Sequence, residues 1–140
     1  MEPGYLYAIG AAVTWGLMYA IDGKILEKFS PMNLLFIQCF LLAIVTLPFF
    51  ILGNGWADLT KNRAVWPLIA LTILLAVIAN FWILKSIQLL GATTASSFEI
   101  SYPFFVAIFS MLLFGARLSL PVVMGGMLIF LGSIVIIRYG

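Results

Sequence analysis

The chain has 140 residues, of which 64% are hydrophobic and only 9% are charged, and its mean hydropathy is +1.20. Soluble domains carry about a quarter charged residues, so this composition excludes an ordinary soluble globular protein and indicates an integral membrane protein. The formal net charge of +2 is too small to predict a nucleic-acid partner. The lipid bilayer is therefore the first partner that the composition implies.

Side chains with catalytic or metal-binding chemistry are scarce. The sequence has no histidine and one cysteine, Cys39, which excludes an intrachain disulfide and is expected to pack as a small apolar residue. No clustered Cys, Asp or Glu spacing resembles a metal site. Neither a Ser–His nor a Cys–His pair is present. We therefore expect a protein that is not an enzyme and that binds neither a metal nor another cofactor.

Five apolar runs meet or approach the roughly 20 residues that a membrane helix needs. They cover about residues 3–21, 32–52, 65–90, 94–114 and 121–138. The opening segment has an acid and no base before its apolar part, so it is predicted to be a retained helix and not a signal peptide. Pro48 and Pro103 are expected to kink the second and fourth helices. The predicted fold is a single all-α transmembrane domain, residues 1–140, with five helices.

The positive charges do not favour either orientation of these five spans, which place the two ends of the chain on opposite sides of the membrane. Three basic residues lie on the N-terminal side and four on the other, namely Lys61, Arg63 and Arg117 against Lys24, Lys28, Lys85 and Arg138. Because basic residues mark cytoplasmic loops, this balance is what a chain inserted in both orientations would show. A weak signal in a short chain is the alternative explanation.

Two helices carry stripes of small residues, which let neighbouring helix backbones approach closely. The first helix has Ala8, Ala12, Gly16 and Ala20 at four-residue spacing, and the last has Gly125, Gly126, Gly132 and Ser133. Either stripe is compatible with packing inside the chain or with a dimer interface. We expect the last helix to form the dimer contact through Gly125, Gly126 and Gly132.

Glu99 lies about five residues into the predicted fourth helix, and an ionisable group within a membrane span marks a candidate functional site. It is expected to bind a substrate cation or a proton; the structural alternatives are that it snorkels to the interface or that it is neutral and hydrogen-bonded. Lys85 lies seven residues before Ala92, at the turn, and Glu99 lies seven residues after it. An ion pair between Lys85 and Glu99 is a further alternative, because pairing offsets the cost of both charges.

Aromatic and polar side chains share faces of two helices. Trp15, Tyr19 and Asp22 lie on one face of the first helix at three- and four-residue spacing. Tyr102 shares a face of the fourth helix with Glu99. Small-molecule sites are commonly built from aromatic walls and a few polar groups, although ordinary packing produces the same pattern.

Three segments also match one recognisable order of motifs. The segment AAVTWGLMYAIDGKILEKFSP has Trp-Gly followed by Ser-Pro, and FEISYPFFVAIFSMLLFGARLSL has an acid, a Pro, a Gly, a basic residue and Leu-Ser. The last segment, GGMLIFLGSIVII, is a Gly-rich closing helix. In this order and spacing the chain resembles one EamA-type domain of the drug/metabolite transporter superfamily, although Ala116 stands where that family commonly has Glu.

The resemblance implies a secondary transporter of small metabolites or drug-like molecules, expected to work outward across the prokaryotic cytoplasmic membrane. It places five residues near a central cavity: Trp15, Tyr19, Asn80, Glu99 and Tyr102. Family members commonly carry two such domains in inverted orientation, whereas this sequence matches one. We therefore expect a homodimer, with antiparallel copies as the arrangement that the charge balance favours. The alternative is a non-transporting or heteromeric membrane subunit, such as the partner of a lipid-linked substrate flippase.

Overall fold

A computed structural model of the chain describes residues 3–117 and 119–139, and every regular element in these ranges is helical. The helices are α1 Pro3–Ile25, α2 Pro31–Leu52, α3 Gly55–Lys61, α4 Trp66–Leu90, α5 Ala92–Glu99, α6 Tyr102–Phe114 and α7 Leu120–Tyr139, with a short 3-10 turn at Arg63–Val65. The all-α fold predicted from the sequence is confirmed for this part of the chain.

Four stretches of the described chain are long and apolar enough to cross a membrane: Pro3–Ile25, Pro31–Leu52, Arg63–Leu90 and Ala92–Phe114. A shorter apolar helix, Leu120–Ile136, follows them. Apolar side chains remain exposed within the chain, as with Val13 at 68% and Leu17 at 64%. Apolar surface left in water costs about 25 cal/mol per Å², so a bilayer or a neighbouring chain must cover these helices. The protein is thus an integral, multi-pass membrane protein.

The chain turns from α1 into α2 through local hydrogen bonds. The N–H of Phe29 bonds to the Ile25 carbonyl at 3.0 Å. Ser30 then caps α2, because its hydroxyl oxygen accepts the N–H of Asn33 at 3.3 Å. Pro31 occupies the first turn, where a missing N–H costs no helical hydrogen bond. Helix α2 continues through Pro48 to Leu52, and a kink at that proline stays a prediction.

The connection between the second and third predicted spans, residues 53–64, is itself largely helical, since α3 occupies Gly55–Lys61. The ring of Trp56 packs edge-on against Phe50, with centroids 5.2 Å apart. The indole N–H of Trp66 donates to the Leu59 carbonyl at 3.0 Å. A helix of seven residues is too short to show a clear hydrophobic periodicity, so the sequence pattern does not predict this helix.

The described residues form two compact units, one drawn from residues 1–24 and 86–140 and the other from residues 25–85. In the second unit four leucines are buried, Leu26, Leu34, Leu35 and Leu84. In the first unit α7 packs against both α5 and α6. The first unit contains Trp15, Tyr19, Glu99 and Tyr102, so the candidate site is described within it.

Helix α7 presents its glycines to different surroundings. A Cβ placed on Gly126 would lie 3.4 Å from Phe104 on α6, and Phe104 also stacks on Phe130 of α7 with centroids 6.4 Å apart. A Cβ on Gly125 or Gly132 would meet nothing within 4 Å. Gly126 therefore serves helix packing inside the chain. Only Gly125 and Gly132 are retained in the proposed dimer face.

Candidate functional site

The apolar stretch predicted as the fourth helix, about residues 94–114, contains two helices. Helix α5 ends at Glu99 and α6 begins at Tyr102. Pro103 explains the interruption, because it has no N–H to donate to the carbonyl of Glu99 four residues earlier. The two linking residues, Ile100 and Ser101, keep right-handed helical dihedrals, so Glu99 lies directly beside a tightened turn within a membrane span.

A hydroxyl from α7 compensates for the interruption. The N–H of Ser101 bonds to the Phe98 carbonyl at 3.1 Å, and a regular helix would direct it to the Ser97 carbonyl. Ser133 donates its hydroxyl to that Ser97 carbonyl, and its Oγ lies 3.2 Å from the Ser101 Oγ. Ser101 and Ser133 are only 3% and 2% exposed. We call Ser97, Ser101 and Ser133 the serine cluster.

Glu99 forms a hydrogen bond with α1. The Tyr19 hydroxyl donates to Glu99 Oε1 at 2.8 Å, and Tyr19 is only 7% exposed. Tyr19 lies six residues before the end of α1, and Glu99 lies seven residues after the start of α5. At about 1.5 Å per residue the two side chains therefore start at similar depths. Gly23 permits the close approach of the helices, since a Cβ there would already lie 3.4 Å from the Cβ of Ala92.

Other side chains of α1 lie near Tyr19. The Trp15 ring lies 5.5 Å from the Tyr19 ring at a tilt of 55°. Asp22 lies one turn further along α1 and is 2% exposed. Carboxylates accept protons and bind cations, and aromatic faces attract cationic groups. The arrangement suits a small polar or cationic ligand with an apolar part.

Two residues expected near the site lie in the unit formed by residues 25–85. The side-chain amide of Asn80 donates to the Ala76 carbonyl of its own helix at 2.8 Å. Lys85 is exposed, and its ion pair with Glu99 stays a prediction. No group of three or more Cys, Asp or Glu side chains that could hold a metal ion occurs among the described residues.

The serine cluster is the part of the site that sequence reasoning missed. Ser133 was expected only as one of the small residues of the last helix. A signal was nevertheless present, because Ser101 stands two positions before Pro103. A hydroxyl residue just ahead of a proline in a membrane helix marks a place where the backbone needs substitute hydrogen-bond partners.

Removing the Tyr19 hydroxyl is expected to weaken the folded state by about 0.5–1.5 kcal/mol, the typical net value of one hydrogen bond. Tyr19→Phe keeps the ring and its contact with Trp15. A double-mutant cycle with Glu99→Met, measured by SDS-induced unfolding in micelles, should show a coupling of similar size. Tyr7→Phe is the control, since Tyr7 lies on the same helix and is 81% exposed. A cycle without coupling would contradict the Tyr19–Glu99 bond.

One of three comparisons with known proteins gives a match. Residues 2–138 match the model of the EamA-like transporter family. No curated protein and no solved structure gives a significant match. Four long apolar helices and a shorter one fit a membrane domain of this kind, and the matched range includes α1, α5, α6 and nearly all of α7. The chain belongs to the EamA-like transporter family.

Proposed function

We propose that this protein is a secondary transporter that exports small metabolites or drug-like molecules across the prokaryotic cytoplasmic membrane. The observation that carries the proposal is the hydrogen bond from Tyr19 to Glu99, at 2.8 Å, beside an interrupted membrane span. Transporters commonly bind substrates and coupling ions at interrupted helices near the middle of the bilayer. A proline within a membrane helix is tolerated where neighbouring side chains satisfy the freed backbone groups, as Ser133 does for the Ser97 carbonyl.

In this proposal Glu99 is the binding or coupling acid. A carboxylate has two oxygens, so one bond to Tyr19 leaves it the capacity to accept a proton or a cationic group. Trp15 and Tyr102 are 47% and 62% exposed and offer aromatic faces to a ligand near the acid. A proton and the substrate would then compete for one carboxylate, so binding of the substrate requires release of the proton, which couples the two movements.

We also propose that the functional form is a homodimer of antiparallel copies. Two features support a second copy: residues 3–17 of α1 are exposed throughout, and Gly125 and Gly132 leave an open face on α7. Antiparallel copies would create the inverted repeat that alternating access uses. The nearly equal numbers of basic residues on the two sides support insertion in both orientations.

Reporter fusions to both termini test the antiparallel dimer. We expect each terminus to be found on both sides of the membrane in comparable amounts. Thr60→Arg tests the charge rule, because it adds one positive charge at an exposed position of α3. It should increase the fraction of chains in which α3 lies on the cytoplasmic side. A single orientation in the unaltered chain would reject the antiparallel arrangement. A purified chain that stays monomeric, or that requires another protein, would instead favour a heteromeric subunit.

A further inference from the structure

The serine cluster joins α7 to the interrupted span at the place where Glu99 is held. Ser133 has one hydroxyl proton and two carbonyl oxygens within reach, those of Ser97 and, at 3.0 Å, of Ile129 in its own helix. The contact with Ser97 is the one that replaces the missing N–H of the broken helix. Ser101 provides a second link, because its Oγ lies 3.2 Å from the Ser133 Oγ.

We propose that Ser133 is a positioning residue that holds the interrupted span so that Glu99 faces Tyr19. The inference rests on the proposed role of Glu99 as the binding or coupling acid. Ser97 lies two residues before Glu99 and Ser101 two residues after it, so the cluster fixes the chain on both sides of the acid. Ser133 touches neither Glu99 nor a ligand in this proposal, and it acts through the Ser97 carbonyl and the Ser101 hydroxyl.

The packing around the cluster gives Ser133 the rigidity that such a role needs. Gly126 and Phe130 lie on the same face of α7 as Ser133, at seven- and three-residue spacing. Both contact Phe104 in the first turn of α6. Helix α7 therefore holds the start of α6 by close apolar packing and holds the interruption itself by the serine hydroxyl.

The coupling between Tyr19 and Glu99 provides the test. The cycle of Tyr19→Phe and Glu99→Met is measured by SDS-induced unfolding, once with Ser133 and once with Ser133→Ala. With Ser133 we expect a coupling of about threefold to tenfold in the unfolding equilibrium constant, as for one net hydrogen bond. With Ser133→Ala we expect the coupling to fall to about onefold, because Glu99 is no longer held opposite Tyr19.

Two further variants make the result specific. Ser133→Thr keeps the hydroxyl and should preserve the coupling. Thr72→Val removes a hydroxyl that donates to the Ile69 carbonyl of its own helix at 2.8 Å, and it should leave the coupling unchanged. Undiminished coupling in Ser133→Ala, or an equal loss in Thr72→Val, would overturn the proposal. If Ser133→Ala does not fold, Ser133→Cys replaces it, since a thiol is a much weaker donor.

This experiment separates the inference from the proposed function. The unfolding cycle requires no substrate and measures no transport. Absence of transport in every assay would reject the transporter and leave the role of Ser133 in holding Glu99 standing. If the protein transports substrate and the coupling between Tyr19 and Glu99 is unchanged in Ser133→Ala, the role of Ser133 is rejected and the transporter stands.

Discussion

Glu99→Gln is expected to reduce proton-coupled transport by about a hundredfold or more, the scale of loss when a group that transfers protons is removed. Glutamine keeps the shape of the side chain, and its oxygen still accepts the Tyr19 hydroxyl. It carries neither a negative charge nor a transferable proton. The fold should therefore survive while coupling is lost.

Proteoliposomes measure this effect. Purified protein is reconstituted, a pH gradient is imposed, and uptake of ethidium and of a set of labelled amino acids is followed. Glu27→Gln is the matched control, because Glu27 is exposed in the connection between α1 and α2. Transport that continues at the normal rate in Glu99→Gln would remove the coupling role from this residue.

Glu99→Asp refines the same experiment. Aspartate can also be ionised and can also bind a proton, but its side chain is shorter and reaches less far towards Tyr19. An intermediate rate is expected if the position of the carboxylate matters as much as its presence.

Gly126→Leu is expected to damage the fold, and Gly132→Leu is expected to separate the dimer and leave the fold intact. A Cβ on Gly126 already meets Phe104 at 3.4 Å, whereas one on Gly132 meets nothing within 4 Å. Overpacking of a close helix contact typically costs about 1–3 kcal/mol. A leucine in the proposed dimer face should weaken association by about tenfold or more, because small residues there allow the backbones to approach.

The two effects need two measurements. SDS-induced unfolding reports the stability of the chain, and energy transfer between labelled copies, diluted stepwise with lipid, reports association. Gly125→Leu should behave like Gly132→Leu. If neither variant changes association, α7 does not form the dimer contact, and the exposed small residues of α1 become the next face to test. A fully stable Gly126→Leu would contradict the packing of α6 on α7.

Sequence features that act locally predicted much of this fold. The lengths of the apolar runs follow directly from the order of the residues, and they indicate the membrane class and the approximate spans. Glu99 was recognisable because a single acid within an apolar run is unusual wherever the neighbouring helices lie. Pro103 likewise marked a disturbance of the helix, since the loss of an N–H is a property of the residue itself.

The partners of these residues were not predictable in the same way. In a membrane helix both packed and lipid-facing sides are apolar, so hydropathy does not indicate which face meets a neighbour. Gly125 and Gly126 look alike in sequence, yet only Gly126 meets α6. The bond from Ser133 to Ser97 joins residues 36 positions apart and depends on how α7 is rotated about its axis. Such rotations are set by tertiary packing.

The buried residues of α1 lie near its C-terminal end, so Tyr19 is close to the point about which this helix would tilt. Residues 3–17 are exposed, whereas Tyr19 and Asp22 are buried. The helical segment from Pro3 to Tyr19 is about 24 Å long at about 1.5 Å per residue, so a tilt of about 10° would displace Pro3 by about 4 Å. The Tyr19 hydroxyl lies close to the point of tilt and would move little. Such a tilt would therefore leave the hydrogen bond from Tyr19 to Glu99 intact.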